Sequence, residues 1–120
     1  MGKDIRSDPQ EHLPLSTVAF DVMLALAGEA QHGYAILQDI EERTGGAPNA
    51  GTLYRAIARL VEAGLVEELD ERPSPALDDA RRRYYGLTAL GRQVAALEAD
   101  RLAARVATAR VRRLIRRPGS

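Results

Sequence analysis

Thr52, Arg55 and Arg59 have the residue types and spacing to work on a polyanion. At about 100° per residue they share one side of a helix, opposite an apolar arc of Leu53, Ile57, Leu60 and Val61. Arginine grips guanine edges or phosphates bidentately, and threonine bonds phosphate or touches a thymine methyl, so this face suits a major groove. Asn49 and the helix N-terminus add donors for phosphate. The plainer reading is a solvated face on which Arg55 and Arg59 pair with the nearby Glu62. Position weighs towards DNA, because this helix follows another helix and a glycine-containing turn, where a recognition helix belongs.

A second basic group, Arg81, Arg82 and Arg83, precedes Tyr84 and Tyr85. On a strand, Arg81 and Arg83 share one face and Arg82 takes the other, so a wing could hold phosphates beside the minor groove. The bland alternative is a strand edge blunted by charge. One tyrosine enters the core and the other faces out, while Asp78 and Asp79 would repel phosphate. From Arg101 to Ser120 there are seven arginines and no acid, against seven acids and one base in residues 61–80, so a net charge of zero hides strong segregation. Arginines spaced along a helix usually form a solvated or ion-paired face, and Glu67, Glu68, Asp70 and Glu71 offer partners across a dimer.

Other chemistries find little support. Without cysteine there is no disulfide, thiol nucleophile or thiolate metal site. His12 and His32 lie in no metal-ligand pattern and read as capping or packing residues. Neither a nucleophile elbow nor a phosphate-binding glycine loop occurs, so no enzyme, cofactor or metal is expected. No apolar run approaches the roughly 18 residues of a membrane span, and the first residues do not read as a secretory signal, which predicts a cytoplasmic protein without a membrane partner.

The elements that must position the basic faces fit one domain of 120 residues, 45% of them hydrophobic. Residues 1–12 read as a flexible arm. Ser16 caps a buried first helix that ends at Gly28, and a second helix runs from about Gly33 to Thr44. Gly45 to Pro48 break the chain before the third helix, which Gly64 ends. Leu65–Leu69 and Arg83–Leu87 form a hairpin around a long loop with Pro73 and Pro75, and Thr88 caps a last helix reaching about Ile115. That order predicts a mainly α fold with a small β-hairpin. It is a winged helix-turn-helix over residues 13–87 with a dimerisation helix over 88–116 and a tail over 117–120.

His32-Gly33-Tyr34, Gly51-Thr52-Leu53-Tyr54, Gly64-Leu65-Val66, Arg83-Tyr84-Tyr85 and Leu87-Thr88-Ala89-Leu90-Gly91 occur in an order and spacing that resembles the PadR family of transcriptional regulators. The likeness covers about Leu13 to Ala99 and points to the family's short branch. It implies a homodimeric repressor whose last helix exchanges contacts with its partner through apolar positions Leu90, Val94, Leu97, Leu102, Val106 and Val111. It also implies that Asn49 through Tyr54 and Arg55 enter the major groove, with Tyr34 and the basic wing strand near the backbone. Gly51 would allow close approach, and Leu53 stays in the core.

Some members of that family take phenolic acids or flat aromatic drugs in a cavity at the dimer centre. Here aromatic residues total 4%, tryptophan is absent and Phe20 is the only aromatic on the first helix, so an aromatic-stacking site is not supported. Phe20, Met23 and Leu97 remain candidates for dimer or cavity packing, and a small-molecule effector stays an unidentified partner. The function expected is sequence-specific binding of double-stranded DNA at an inverted repeat. The rival is a winged-helix protein-interaction module, which arginines buried or paired with acids would favour.

Overall fold

The computed structural model describes residues 8–69 and 83–115. The elements follow in the order α1 (Thr17–Gly28), β1 (Gln31–His32), α2 (Gly33–Thr44), α3 (Ala50–Glu62), β2 (Val66–Leu69), β3 (Tyr84–Leu87) and α4 (Ala89–Val111). Each α-helix starts on a side-chain cap. Ser16 Oγ accepts from the Ala19 N–H at 3.1 Å, and His32 Nδ1 accepts from Ala35 at 3.2 Å. Asn49 Oδ1 accepts from Thr52 at 2.8 Å, and Thr88 Oγ1 accepts from Gly91 at 2.9 Å. A cap satisfies one donor that the helix cannot and contributes about 1 kcal/mol.

The three short helices pack around one core. Val22, Met23 and Leu26 of α1 meet Ile36 and Ile40 of α2 and Leu53, Ile57 and Leu60 of α3. The apolar arc read on α3 is therefore buried as its spacing dictates, apart from Val61 at the rim. The sheet has one strand more than the expected hairpin. Its antiparallel order is β1-β3-β2, with Gln31 opposite Tyr85 and Glu68 opposite the same tyrosine from the other side. Two residues are too few to show alternation, so β1 gives no periodic signal. The loop holding Pro73 and Pro75 lies outside the described residues.

Both ends differ from expectation. Of the arm read over residues 1–12, the described part is ordered: Asp8 caps a 3-10 turn, Pro9–His12, that packs on α4. Beyond it, Leu13 and Leu15 lie against the core. The anchor is Glu98 on α4, whose buried carboxylate takes a two-point grip from Arg101 at 2.7 and 2.9 Å and accepts the Leu15 N–H. The Arg101 hydrogen bonds hold the Glu98 carboxyl below its ordinary pKa against the opposing effect of burial. At the other end α4 stops at Val111 instead of about Ile115, because Arg113 turns left-handed with φ 64°. The Leu114 N–H then donates to Ala109 O, closing the helix without a glycine to announce it.

One joint ties α3, the sheet and α4 together. After α3, Gly64 takes φ 81°, and the N–H groups of Gly64 and Leu65 donate to Val61 and Leu60 carbonyls at 3.0 and 2.9 Å. This is the Schellman closure, and its left-handed residue favours glycine. Thr88 then clamps the turn: its N–H donates to Leu65 O at 3.1 Å and its hydroxyl to Gly64 O at 2.7 Å. Gly91, one turn into α4, lies so close that a β-carbon there would overlap the Leu65 carbonyl. Gly91→Ala is therefore expected to lower unfolding stability by about 1–3 kcal/mol in urea denaturation. Gly28→Ala, where a β-carbon meets nothing within 4 Å, serves as the neutral control.

Candidate nucleic-acid interface

The outer face of α3 carries the predicted side chains together. Arg55 and Arg59 are exposed, Thr52 is half-buried beside them, and Arg55 Nη2 lies 3.4 Å from Thr52 Oγ1. Among the described residues no carboxylate comes within ion-pair distance of either arginine, so the pairing with Glu62 does not form. The first turn of α3 holds no acid. Helix dipole and guanidinium therefore add to one positive surface. Asn49 also caps the helix: its side-chain oxygen accepts from the Thr52 N–H, which leaves its amide donors for a ligand.

Tyr54 projects from α3 across the start of α2. A β-carbon at Gly33 would fall within the Tyr54 ring, so α2 can approach α3 here only through a glycine. Tyr34, the next residue, stands 56% exposed, and Tyr54 itself is 46% exposed. The two tyrosines thus flank the closest approach of the helix pair. The family resemblance implied both near the site, but the ring on Gly33 is a contact between distant segments and leaves no local mark.

The wing side is mixed in charge. Arg83 Nη1 meets Glu68 Oε2 at 3.1 Å across β2 and β3, and both side chains are largely exposed. Such a pair contributes little and exchanges readily for another anion. Glu68 therefore has its partner inside the chain, a role that the acidic strand had been expected to play across a dimer. Tyr85 is the inward tyrosine, its phenol pushed above its ordinary pKa chiefly by burial, with Glu68 adding to the effect. Tyr84 packs edge-on against His32 with ring centres 5.4 Å apart. Arg81 and Arg82 lie outside the described residues. An open groove of about 220 Å³ separates α3 from this sheet, with Tyr54, Ala58 and Val61 on one wall and Glu68 and Arg83 on the other.

The positions expected at a dimer or effector cavity divide. Met23 and Val94 have no exposed surface and belong to the chain's own core, so neither can touch a partner directly. Phe20, Leu90, Leu97 and Leu102 are half-buried, and Val106 is 43% exposed.

The model of the transcriptional regulator PadR-like family matches residues 22–97. The chain belongs to the PadR-like family. It is 39% identical over 82 residues to an uncharacterized 37.1 kDa protein in transposon TN4556 of Streptomyces fradiae. That match takes in 68% of this chain and 22% of the relative, so the chain spans about a fifth of that protein's length. Among solved structures it is similar to RosR of H. salinarum in the hsRosR-S4 complex, with TM-score 0.65 and 28% identity over 84% of this chain and 80% of that one. It is also similar in fold to Bacillus subtilis PadR in complex with operator DNA, with TM-score 0.57 and 20% identity over 74% of this chain and 47% of that one. The winged-helix architecture is common to them.

In this PadR-like chain three of the five motifs behind the resemblance have a plain structural duty. His32-Gly33-Tyr34 supplies the α2 cap, the floor beneath Tyr54 and an exposed ring. Gly64-Leu65-Val66 and Leu87-Thr88-Ala89-Leu90-Gly91 are the two halves of the clamp between α3 and α4. Glu98 was not found in the sequence, where it resembles any surface acid of an Ala- and Arg-rich helix. No described helix is long and apolar enough to cross a membrane. Because the β-carbon at Gly33 collides with one ring, Gly33→Ala is expected to lower stability by about 1–3 kcal/mol, and by much less in a Tyr54→Ala background. A double-mutant cycle in urea measures the difference; equal costs in both backgrounds would refute the contact.

Proposed function

We propose that this PadR-like chain is a sequence-specific regulator that binds double-stranded DNA as a homodimer and represses from an inverted-repeat operator. One observation carries the reading: the α3 face of Thr52, Arg55 and Arg59 is exposed, positive and free of carboxylate partners among the described residues. Those guanidinium groups have given up no hydration to an acid and are available to phosphate and base edges. A PadR solved with operator DNA shares the fold, which supports DNA as the ligand here. The wing contributes Arg83, which can exchange Glu68 for a phosphate. The balanced net charge and that ion pair favour, as a second reading, a protein partner on the same face.

The dimer reading rests on α4. Its 23 residues extend about 35 Å, past Val94 and Glu98 where the helix meets its own core. Leu102 is only half-buried, while Val106 and Val111 lie exposed on the part that continues, with alanines between them. A second copy of the helix would cover them, and a twofold dimer presents two recognition helices to an inverted repeat. Val106→Glu is expected to shift the protein from twice its 13.1 kDa mass towards the monomer in light scattering at micromolar concentration. A wild-type monomer under those conditions would overturn the dimer.

DNA binding is tested by fluorescence anisotropy of the purified protein with its own promoter region against a scrambled duplex over a salt series. The promoter is expected to bind more tightly, with log affinity falling linearly in log salt. Equal and negligible binding of both duplexes would favour the protein-partner reading.

A further inference from the structure

The groove between α3 and the sheet holds one polar group that the fold leaves without a partner. Tyr85 lines it and is only 8% exposed, yet among the described residues its hydroxyl makes no hydrogen bond. A buried hydroxyl without a partner opposes folding, and native structures leave few of them without a use. The groove has two unlike walls. Tyr54, Ala58 and Val61 of α3 form an apolar one, while Glu68 and Arg83 face it from the sheet. The register that sets Glu68 opposite Tyr85 puts carboxylate and phenol on one face of the sheet. Arg83 meets Glu68 there at 3.1 Å, and of the two side chains the arginine is much the more exposed.

We infer that this groove binds a small organic cation, a primary ammonium on a compact apolar body, which replaces Arg83 on the Glu68 carboxylate and donates to the Tyr85 hydroxyl oxygen. The body lies against Ala58 and Val61, and the exposed Tyr54 ring offers it a further surface. A cation is favoured over an anion on two counts. Glu68 acts on the phenol more strongly than Arg83 does, raising its pKa beyond the effect of burial, so the carboxylate sets the field at the hydroxyl. A cation also displaces only Arg83, which water takes back at little cost, whereas an anion would have to drive off the less exposed Glu68. The groove, at about 220 Å³, is smaller than the sites of drug-sized ligands, which limits the ligand to a short amine. Every group used belongs to one protomer, so the site is complete without a dimer.

Occupancy changes the wing. Arg83, released from Glu68, presents a free guanidinium, and the carboxylate that repels phosphate is neutralised. The effect on DNA rests on the DNA-binding function proposed above: amine and duplex bind with positive coupling, each raising the other's affinity by the same factor.

The probe is 2-phenylethylamine, with 3-phenylpropionate as its anionic counterpart, each titrated at neutral pH into the nitrogen-15-labelled full chain and followed by amide chemical shifts. The amine is expected to saturate with a Kd of about 1 mM or tighter, moving the amides of Ala58, Glu68 and Arg83, while the acid moves none of them. Glu68→Gln is expected to weaken it about tenfold or more and Tyr85→Phe about two- to tenfold, both variants keeping the wild-type circular dichroism. Arg83→Ala removes the competing cation and is expected to bind the amine about two- to fivefold more tightly, a gain that a merely structural arginine would not give. With the protein's own promoter duplex, saturating amine is expected to raise the affinity of wild type about two- to fivefold, and that of Arg83→Ala by less. No saturation by about 10 mM amine, equal binding of the acid, or weaker amine binding by Arg83→Ala would overturn the site. A fall in DNA affinity on adding amine would overturn the coupling. If the duplex binds neither with nor without amine, the DNA-binding function fails, and the titration of the protein alone still decides the site.

Discussion

The clamp between Thr88 and the turn after α3 is the constraint on which the remaining geometry depends. A single threonine donates twice into Gly64 and Leu65 and accepts the Gly91 N–H, so it closes one helix and opens another with the same side chain. Since β3 runs directly into Thr88, the clamp also fixes the sheet relative to α3. The face that α3 turns outwards and the side on which the wing strands lie are therefore set by one corner of the chain. Its tolerance is small because the Gly91 position leaves no room for even a methyl group.

A neutral chain can present a positive surface when its charges are paired unevenly. Arg43 is bound by Asp39 and Asp21, Arg101 by Glu98 and Arg83 by Glu68, so these basic side chains are partly neutralised where they stand. The α3 arginines have no such partner among the described residues, and the positive end of the helix dipole adds to the charge near Arg55. Local pairing, more than the overall sum, decides where a polyanion would settle. The exposed Arg83–Glu68 pair is the least committed of these and joins the wing to the same surface.

Aromatic packing supplies the second support for that surface. Tyr54 fills the space over Gly33, Tyr85 closes the core beneath the sheet and Tyr84 rests against His32, the residue that caps α2. These rings link α2, α3 and the sheet near the recognition face, while Glu98 draws the segment before α1 onto α4 at the opposite end of the core. The core is small, so such single contacts carry a large share of its definition.

The sequence by itself determined whatever depends on local periodicity and local stereochemistry. The apolar arc of Leu53, Ile57 and Leu60, the bounds of α2, the caps at Ser16 and Thr88 and the basic face of α3 all follow from neighbours within a turn or two. Tertiary structure alone decided contacts between segments far apart in the chain. β1 is a strand only because β3 lies beside it. Residues 8–12 are ordered where the sequence read as a loose arm, since α4 lies against them and Glu98 binds Leu15 just beyond. Met23 and Val94, candidates for dimer or cavity packing by sequence, are fully buried in the chain's own core. The end of α4 at Val111 escaped notice because an arginine, not a glycine, takes the left-handed turn. Periodicity reports which face of an element is apolar; only the packed fold says what that face meets.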